Sequence, residues 1–326
     1  MAFLNIGFIG AGGIARLHLQ QLEKIPELRV VAICDVNLNR AREMALELNC
    51  KVYSSHEEML EKERLDALYI CIPPGAHTNQ EILAAEKGIH LFIEKPLAVN
   101  WEKSREIAEA IKKARIITSV GYTWRYMDIV EEARKFLKDK KIAMVLGFWL
   151  GGLPGVPWWR VKAQSGGQMV EQTTHIIDLA RYFAGEVEKI YAAYSLCCLK
   201  EVEDLDIEDV GTVILHFKNG ALGSVSNTCI LSQSHTIGIS VVSQDLVVEC
   251  SWQSLKIIRP GRSEEIRISG NPYLLENQIF IEGIRTGDAS RIRSSYEDAL
   301  KTHAVTMAAN LSAQQRRPVF IKEITG

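Results

Sequence analysis

The apolar run Phe3–Ile9 ends directly in Gly10-Ala11-Gly12-Gly13-Ile14-Ala15, a G-x-G-x-x-A string that opens the amphipathic stretch Ile14–Ile25. Few folds can use such a turn between a strand and a helix. Gly10 permits a tight reversal, Gly12 lets the backbone approach a pyrophosphate, and Ala15 keeps the helix close to the sheet. The helix amino terminus presents unsatisfied N–H groups and favours an anion, so Gly10, Ala11, Gly12, Gly13 and Ile14 form the expected cradle. Alone the string is common. With an acidic residue at the end of the next strand it points to a dinucleotide.

That residue is Asp35, some twenty positions past Ala15, at the end of the strand-like run Arg29–Cys34. A carboxylate there accepts hydrogen bonds from the ribose hydroxyls and repels a 2′-phosphate, which favours NAD. Arg40 can accommodate that phosphate, so NADP is the alternative. A second reading of Asp35 makes it the cap of a helix starting near Leu38.

The strand-like runs Ala67–Ile72, His90–Ile93 and Ile116–Val120 follow. Helical patterns at Leu38–Leu48, Ser55–Lys62, Thr78–Lys87 and Trp101–Lys113 alternate with them. Such alternation predicts an α/β Rossmann domain with a parallel sheet over residues 1–121, its ligand outside the carboxyl ends of the strands. After Tyr122 the pattern changes. Helical stretches at Ile129–Leu137 and Gly166–Phe183 flank a strand at Ala143–Leu150. Short strands follow near 187–197, 210–217, 221–230, 236–242, 246–251, 254–259 and 264–268. Asn219-Gly220 is a hairpin signal. Residues 122–326 are therefore expected to form an α+β domain with a large, mostly antiparallel open sheet. Helices at Tyr273–Arg285 and Tyr296–Leu311 and a last strand near Pro318–Ile321 complete it.

Composition bears mainly on what the chain does not bind. Of 326 residues 47% are hydrophobic and 24% charged, with a net charge of −2. Nothing here attracts nucleic acid or an anionic membrane. Ile142–Trp159 is uncharged and long, but Gly151, Gly152, Pro154, Gly155 and Pro157 would break a spanning helix, so it reads as a strand and a loop. The seven cysteines include no CxxC pair and no metal spacing, which suits a reducing cytoplasm.

Two strand ends carry unusual residues. Cys71-Ile72-Pro73-Pro74-Gly75-Ala76-His77 forms a rigid loop at the cofactor edge, with His77 either a cofactor contact or a helix-start residue. Glu94-Lys95-Pro96 follows His90–Ile93, and Pro96 keeps Lys95 out of helical geometry. On the tripeptide alone, a surface turn lysine explains it as well. Ser165-Gly-Gly-Gln168 has the form of a capping box that starts a helix. Glu171, His175, Asp178 and Tyr182 then recur at spacings of four, three and four, on one helical face. A lone helix histidine is commonly structural, whereas a carboxylate one turn before it can orient the imidazole for acid–base work. Trp158-Trp159-Arg160 offers aromatic faces for sugar C–H groups and a cation for hydroxyls or a carboxylate. Alternatively, one tryptophan is core and the other an oligomer contact.

Together these residues resemble the Gfo/Idh/MocA family, named for glucose–fructose oxidoreductase and inositol dehydrogenase. The resemblance rests on the dinucleotide turn, Pro73-Pro74 with His77, Glu94-Lys95-Pro96, the Gly166-Gly167 segment and Asp298-Ala-Leu-Lys. It implies hydride transfer between nicotinamide and a carbinol or carbonyl of a sugar, inositol or related polyol. Ile72, Pro73, Pro74, His77 and Glu94 then line the cofactor, and Lys95 stands beside substrate and nicotinamide. His175 becomes the acid/base that takes the hydroxyl proton, and Lys95 stabilises the developing alkoxide. Glu171 stands where many members carry aspartate, and Gln172 and Thr173 replace small residues. Trp124, Arg125 and Gln172 join Trp158, Trp159 and Arg160 as substrate candidates. A homodimer or homotetramer through the C-terminal sheet is implied. Two other activities fit the same resemblance: an NAD-dependent glycosidase using transient oxidation, and a non-catalytic nucleotide-binding regulator.

Overall fold

The computed structural model describes residues 3–46 and 48–326, which form two compact units. The first takes in the chain through Leu97, then Glu102–Thr123 and Asn271–Leu300. The second comprises Ala98–Trp101, Trp124–Gly270 and Lys301–Gly326. An expected division after residue 121 does not foresee that Asn271–Leu300 returns to the first unit.

The reason lies in the core. The first unit holds β1 (Leu4–Ile9), β2 (Leu28–Cys34), β3 (Lys51–Tyr53), β4 (Ala67–Ile70), β5 (His90–Ile93) and β6 (Thr118–Val120). All pair in parallel, in the order β3-β2-β1-β4-β5-β6. Every residue of β4 is buried, as a central parallel strand covered on both faces requires. Across the sheet Phe8, Tyr69 and Phe92 stack at centroid distances of 5.0 and 4.8 Å. Phe280 of the helix Pro272–Thr286 meets Tyr69 and Phe92 edge-on at 5.9 and 5.6 Å. Burying a ring of that size contributes about 1.5–3 kcal/mol. Cutting Phe92 to alanine would cost about 3–5 kcal/mol. The order reverses between β1 and β4, so a crevice opens at the carboxyl ends of the strands. β3, only three residues long, was not expected because so short a run shows no alternation.

The second unit is built on a nine-stranded sheet. Its strands are β7 (Ile142–Leu150), β8 (Val187–Ser195), β9 (Val210–Phe217), β10 (Leu222–Thr228) and β11 (Ile237–Ser243). β12 (Leu246–Ser251), β13 (Ser254–Arg259), β14 (Arg262–Arg267) and β15 (Val319–Phe320) follow. The order is β14-β13-β12-β11-β7-β10-β9-β8-β15. β7 and β10 pair in parallel, and the other neighbours are antiparallel, as expected for this half. Asn219-Gly220 makes the β9–β10 turn, with Gly220 at φ +88° and Asn219 Oδ1 accepting the Ala221 N–H. The helix Thr174–Ala184 lays Ile176, Ile177, Leu179 and Ala180 on one face of this sheet. Gly147 makes the approach close, since a Cβ there would lie 2.4 Å from Ile176 Cγ2.

The long helix expected over Gly166–Phe183 is broken. Lys162–Ser165 and Gln168–Glu171 form single turns before Thr174–Ala184 begins. Gly166 and Gly167 adopt φ of +77° and +88°, which end one turn and re-aim the next. The Ser165 hydroxyl accepts the Gly167 N–H at 3.0 Å, so the capping box does not form. Among the described residues no helix is long and apolar enough to cross a membrane.

Candidate active site

In the first unit the carboxyl edge of the sheet gathers the sequence-derived cofactor candidates. Gly10 has φ +94°, and a Cβ on it would stand 2.2 Å from the Cys71 carbonyl oxygen. The turn therefore depends on glycine. Gly12 and Gly13 are different: a Cβ on either would meet nothing within 4 Å. Their exposed backbone borders open space at the start of the helix Gly13–Leu22, which has no side-chain cap and no acidic residue in its first turn. Ala11 is buried and Ile14 half-buried behind them. Such an uncapped, glycine-lined amino terminus suits a pyrophosphate.

Asp35 is 8% exposed and ties the turn together. Its Oδ2 accepts the Ala11 N–H at 2.8 Å and its Oδ1 the Asn37 N–H at 2.7 Å. It does not cap the helix Leu38–Ala45. Asn37 does that, its side chain accepting from the N–H groups of Asn39 and Arg40. Arg40 is exposed on that helix. Beside Asp35, Val36 is a large apolar side chain left 94% exposed.

Two further loops reach the same edge. After β4, Ile72 and Pro73 are half-buried and Pro74 opens a short 3-10 turn. His77 is hydrogen-bonded through Nδ1 to Glu81 Oε1, both side chains enclosed, and its Nε2 is buried with no hydrogen-bond partner. After β5, Glu94 is buried and Lys95 half-buried. Glu94 Oε1 lies 2.8 Å from Nε2 of His18, a residue not singled out from sequence, and Oε2 accepts the Lys95 N–H at 3.2 Å.

The second unit presents His175 from the first turn of Thr174–Ala184. Its imidazole stacks on Trp149 (centroids 5.9 Å, planes 16° apart) and on Trp124 (6.3 Å, 27°). Trp252, in the β12–β13 turn, meets Trp124 at 5.4 Å. Trp149 and Trp252 carried no sequence signal, one lying on β7 and the other in a turn more than a hundred residues later. Glu171 sits in the turn before the helix rather than on its face. Its Oε2 accepts the indole N–H of Trp159 at 2.6 Å. Gln172 Oε1 accepts from Gln168 Nε2 at 3.2 Å.

Several substrate candidates have other employment. Arg125 is buried and forked onto Asp178, Nε to Oδ2 at 2.7 Å and Nη2 to Oδ1 at 2.6 Å, with its guanidinium over the Tyr182 ring. The guanidinium is thus engaged within the second unit. Trp159 is 1% exposed and anchors a small cluster with Ile207 and Cys229, against which Trp158 packs. It packs in that cluster, and its indole N–H meets Glu171. Trp124 is 4% exposed and backs His175. Arg160 keeps a buried Nε with no hydrogen-bond partner.

The model of an oxidoreductase family with an NAD-binding Rossmann fold matches residues 4–122, and that of the GFO/IDH/MocA C-terminal domain matches residues 131–251. The chain belongs to the GFO/IDH/MocA family. Among its relatives in that family is the myo-inositol 2-dehydrogenase of Thermotoga maritima, 26% identical over 99% of this chain and all of that protein. The scyllo-inositol 2-dehydrogenase (NAD(+)) of Bacillus subtilis is also 26% identical, over 95% of this chain and 94% of its own. The fold is that of a levoglucosan dehydrogenase solved with NADH and L-sorbose, with a TM-score of 0.88, 22% identity and coverage of 98% and 99%. As a GFO/IDH/MocA oxidoreductase the protein holds NAD on its first unit, and the glycine turn, the bare helix terminus and Asp35 fit that cofactor.

Proposed function

We propose that the protein is an NAD-dependent dehydrogenase, or reductase in the other direction, acting on a carbinol of a sugar, inositol or related polyol. One observation carries this reading. Lys95 follows β5 at the carboxyl edge of the same parallel sheet whose β1 and β2 end in the glycine turn and in Asp35. A cation there is suited to steady a developing alkoxide. His175 is the acid/base that takes the hydroxyl proton, its ring oriented by the indoles of Trp149 and Trp124. Glu171 and Arg160 are suited to binding substrate hydroxyls. The bound dinucleotide supplies the hydride acceptor. Asp35 favours NAD over NADP, and Val36 offers an apolar face to an adenine ring. We place the enzyme in the cytoplasm, its seven cysteines all free, and assign a homo-oligomer to the open face of the nine-stranded sheet.

The test is a panel of sugars, inositols, glycosides and sugar acids, run with NAD and NADP in parallel on wild-type, Lys95→Ala and His175→Ala proteins. NADH should accumulate with a cyclic polyol. Both variants should lose about a hundredfold or more in turnover while NAD affinity stays nearly intact. Aglycone release without net NADH would replace this reading with a redox-neutral glycosidase. NAD binding without any turnover would leave a nucleotide-sensing regulator.

A further inference from the structure

We infer that His18 and Asn277 are positioning residues for Lys95, acting through Glu94, with His18 held as the neutral tautomer that carries its proton on Nε2. This rests on the proposed role of Lys95. All four residues belong to the first unit.

The hydrogen-bond pattern settles where the ring proton lies. Asn277 Nδ2 donates to the Tyr273 carbonyl at 2.7 Å, a group that can only accept. That contact orients the amide. Its Oδ1 consequently accepts the Tyr69 hydroxyl, at 2.7 Å. Nδ2 also lies 2.9 Å from His18 Nδ1. The amide nitrogen is a donor, so Nδ1 must offer a lone pair, and the proton sits on Nε2, 2.8 Å from Glu94 Oε1. The chain thus reads Tyr69, Asn277, His18, Glu94, and ends on the Lys95 N–H, which donates to Glu94 Oε2.

Every member is enclosed. His18, Tyr69 and Asn277 are 0% exposed, and Glu94 is 6% exposed. Gly121 provides the room: a Cβ there would fall 2.5 Å from Glu94 Oε1. Around His18 stand Phe92 at 4.6 Å, Tyr69 at 5.5 Å and Tyr273 at 6.3 Å. The other titratable groups of this cluster are Tyr273, Glu276, on the helix that carries Asn277, and Cys71, beside Glu94. Burial, and then Glu94, push the Glu276 carboxyl well above its ordinary range, and burial first and Glu94 second do the same to the Cys71 thiol. Glu94 accepts from His18 on Oε1 and from the Lys95 N–H on Oε2. Its two oxygens are clamped from opposite sides, and this fixes the backbone from which Lys95 projects.

The experiment uses full-length protein with saturating NAD. Asn277→Asp keeps the shape but replaces the donor facing Nδ1 by an acceptor. In wild type the ring 15N shifts of His18 should show an unprotonated Nδ1 and a protonated Nε2. In Asn277→Asp, Nδ1 should become protonated and turnover should fall. His18→Leu removes the donor to Glu94 and should lower kcat about ten- to a hundredfold, with little change in NAD affinity or substrate KM. His18→Gln, which can restore a donor toward Glu94, should recover most of that rate. A protonated Nδ1 in wild type, or an undiminished kcat in His18→Leu, overturns the inference. So does His18→Gln being as slow as His18→Leu at an unchanged melting temperature. If Lys95→Ala is fully active the proposed function falls first, and the 15N pattern then reports on the hydrogen-bond chain alone. If Lys95→Ala is inactive while His18→Leu is not, only the positioning role falls.

Discussion

The indole N–H of Trp159 donates to Glu171 Oε2 at 2.6 Å, from a ring only 1% exposed. A core side chain thereby fixes one oxygen of a half-buried carboxylate. Trp159→Phe keeps an aromatic ring in the cluster and removes the donor. Losing a hydrogen bond to a charged group should raise substrate KM about tenfold while leaving NAD affinity alone. Steady-state kinetics on the best substrate would show it. An unchanged KM would mean that Glu171 does not bind substrate.

The buried Arg125–Asp178 pair predicts a large effect on stability. Both side chains are at least 97% enclosed, and Thr302 adds a hydroxyl to Asp178 Oδ1 at 2.8 Å. Removing one partner strands a buried charge, so Asp178→Ala should cost about 3–5 kcal/mol. Replacing both partners by apolar residues should cost much less. Urea denaturation of the two variants measures the difference, and a loss below about 1 kcal/mol in the single variant would contradict a buried structural pair.

What could be read from sequence was what lies close along the chain. The glycine turn, Asp35 and the β-α alternation are local patterns, and they sufficed for the parallel sheet and its cofactor edge. The Asn219-Gly220 turn and the strands after it likewise sufficed for the antiparallel one. Contacts between distant residues left no such trace. His18 and Asn277 are 259 positions apart and Arg125 and Asp178 are 53 apart. No spacing rule joins a helix histidine to Trp149, or Trp124 to Trp252. The amphipathic pattern of Pro272–Thr286 marks a helix but not which sheet it covers; the edge-on contact of Phe280 decides that. The break after Ser165 was missed because two glycines in sequence allow, without requiring, positive φ.

Glu276 predicts a pH dependence of folding. Burial, then Glu94, hold its carboxyl well above the ordinary range. The folded chain keeps this proton where the unfolded chain has released it. The contribution is therefore complete below about pH 4.3, where an unfolded glutamate titrates, and is lost as pH rises through the native value. Glu276→Gln can still accept from the Thr123 hydroxyl, which donates to Oε1 at 2.9 Å, but cannot ionise. Its urea midpoint should match wild type in acid and exceed it increasingly toward alkaline pH. Parallel curves throughout would refute the assignment.

Cofactor choice should turn on Asp35. Asp35→Ala should lower kcat/KM for NAD about ten- to a hundredfold, because it removes the ribose acceptor and loosens the Ala11 N–H. NADP should lose far less, since repulsion of its 2′-phosphate disappears. Adding Arg40→Ala should then withdraw that relative advantage. If NADP use is indifferent to Arg40 in this background, the arginine has no part in cofactor selection.

The open face of the nine-stranded sheet carries an apolar stripe across four adjacent strands. Tyr191 lies directly opposite Ile214, and Met144 opposite Leu222, each between 39% and 46% exposed. All four project from the face opposite to that covered by Thr174–Ala184. An apolar stripe on an open sheet face is suited to a second copy of itself, because a two-fold axis places identical patches together. Replacing both Ile214 and Leu222 by aspartate would bring like charges together across that axis and leave them desolvated. Light scattering coupled to size exclusion should then report the monomer mass, against a multiple of it for wild type, with NAD still bound. A variant that keeps the wild-type mass would move the interface elsewhere.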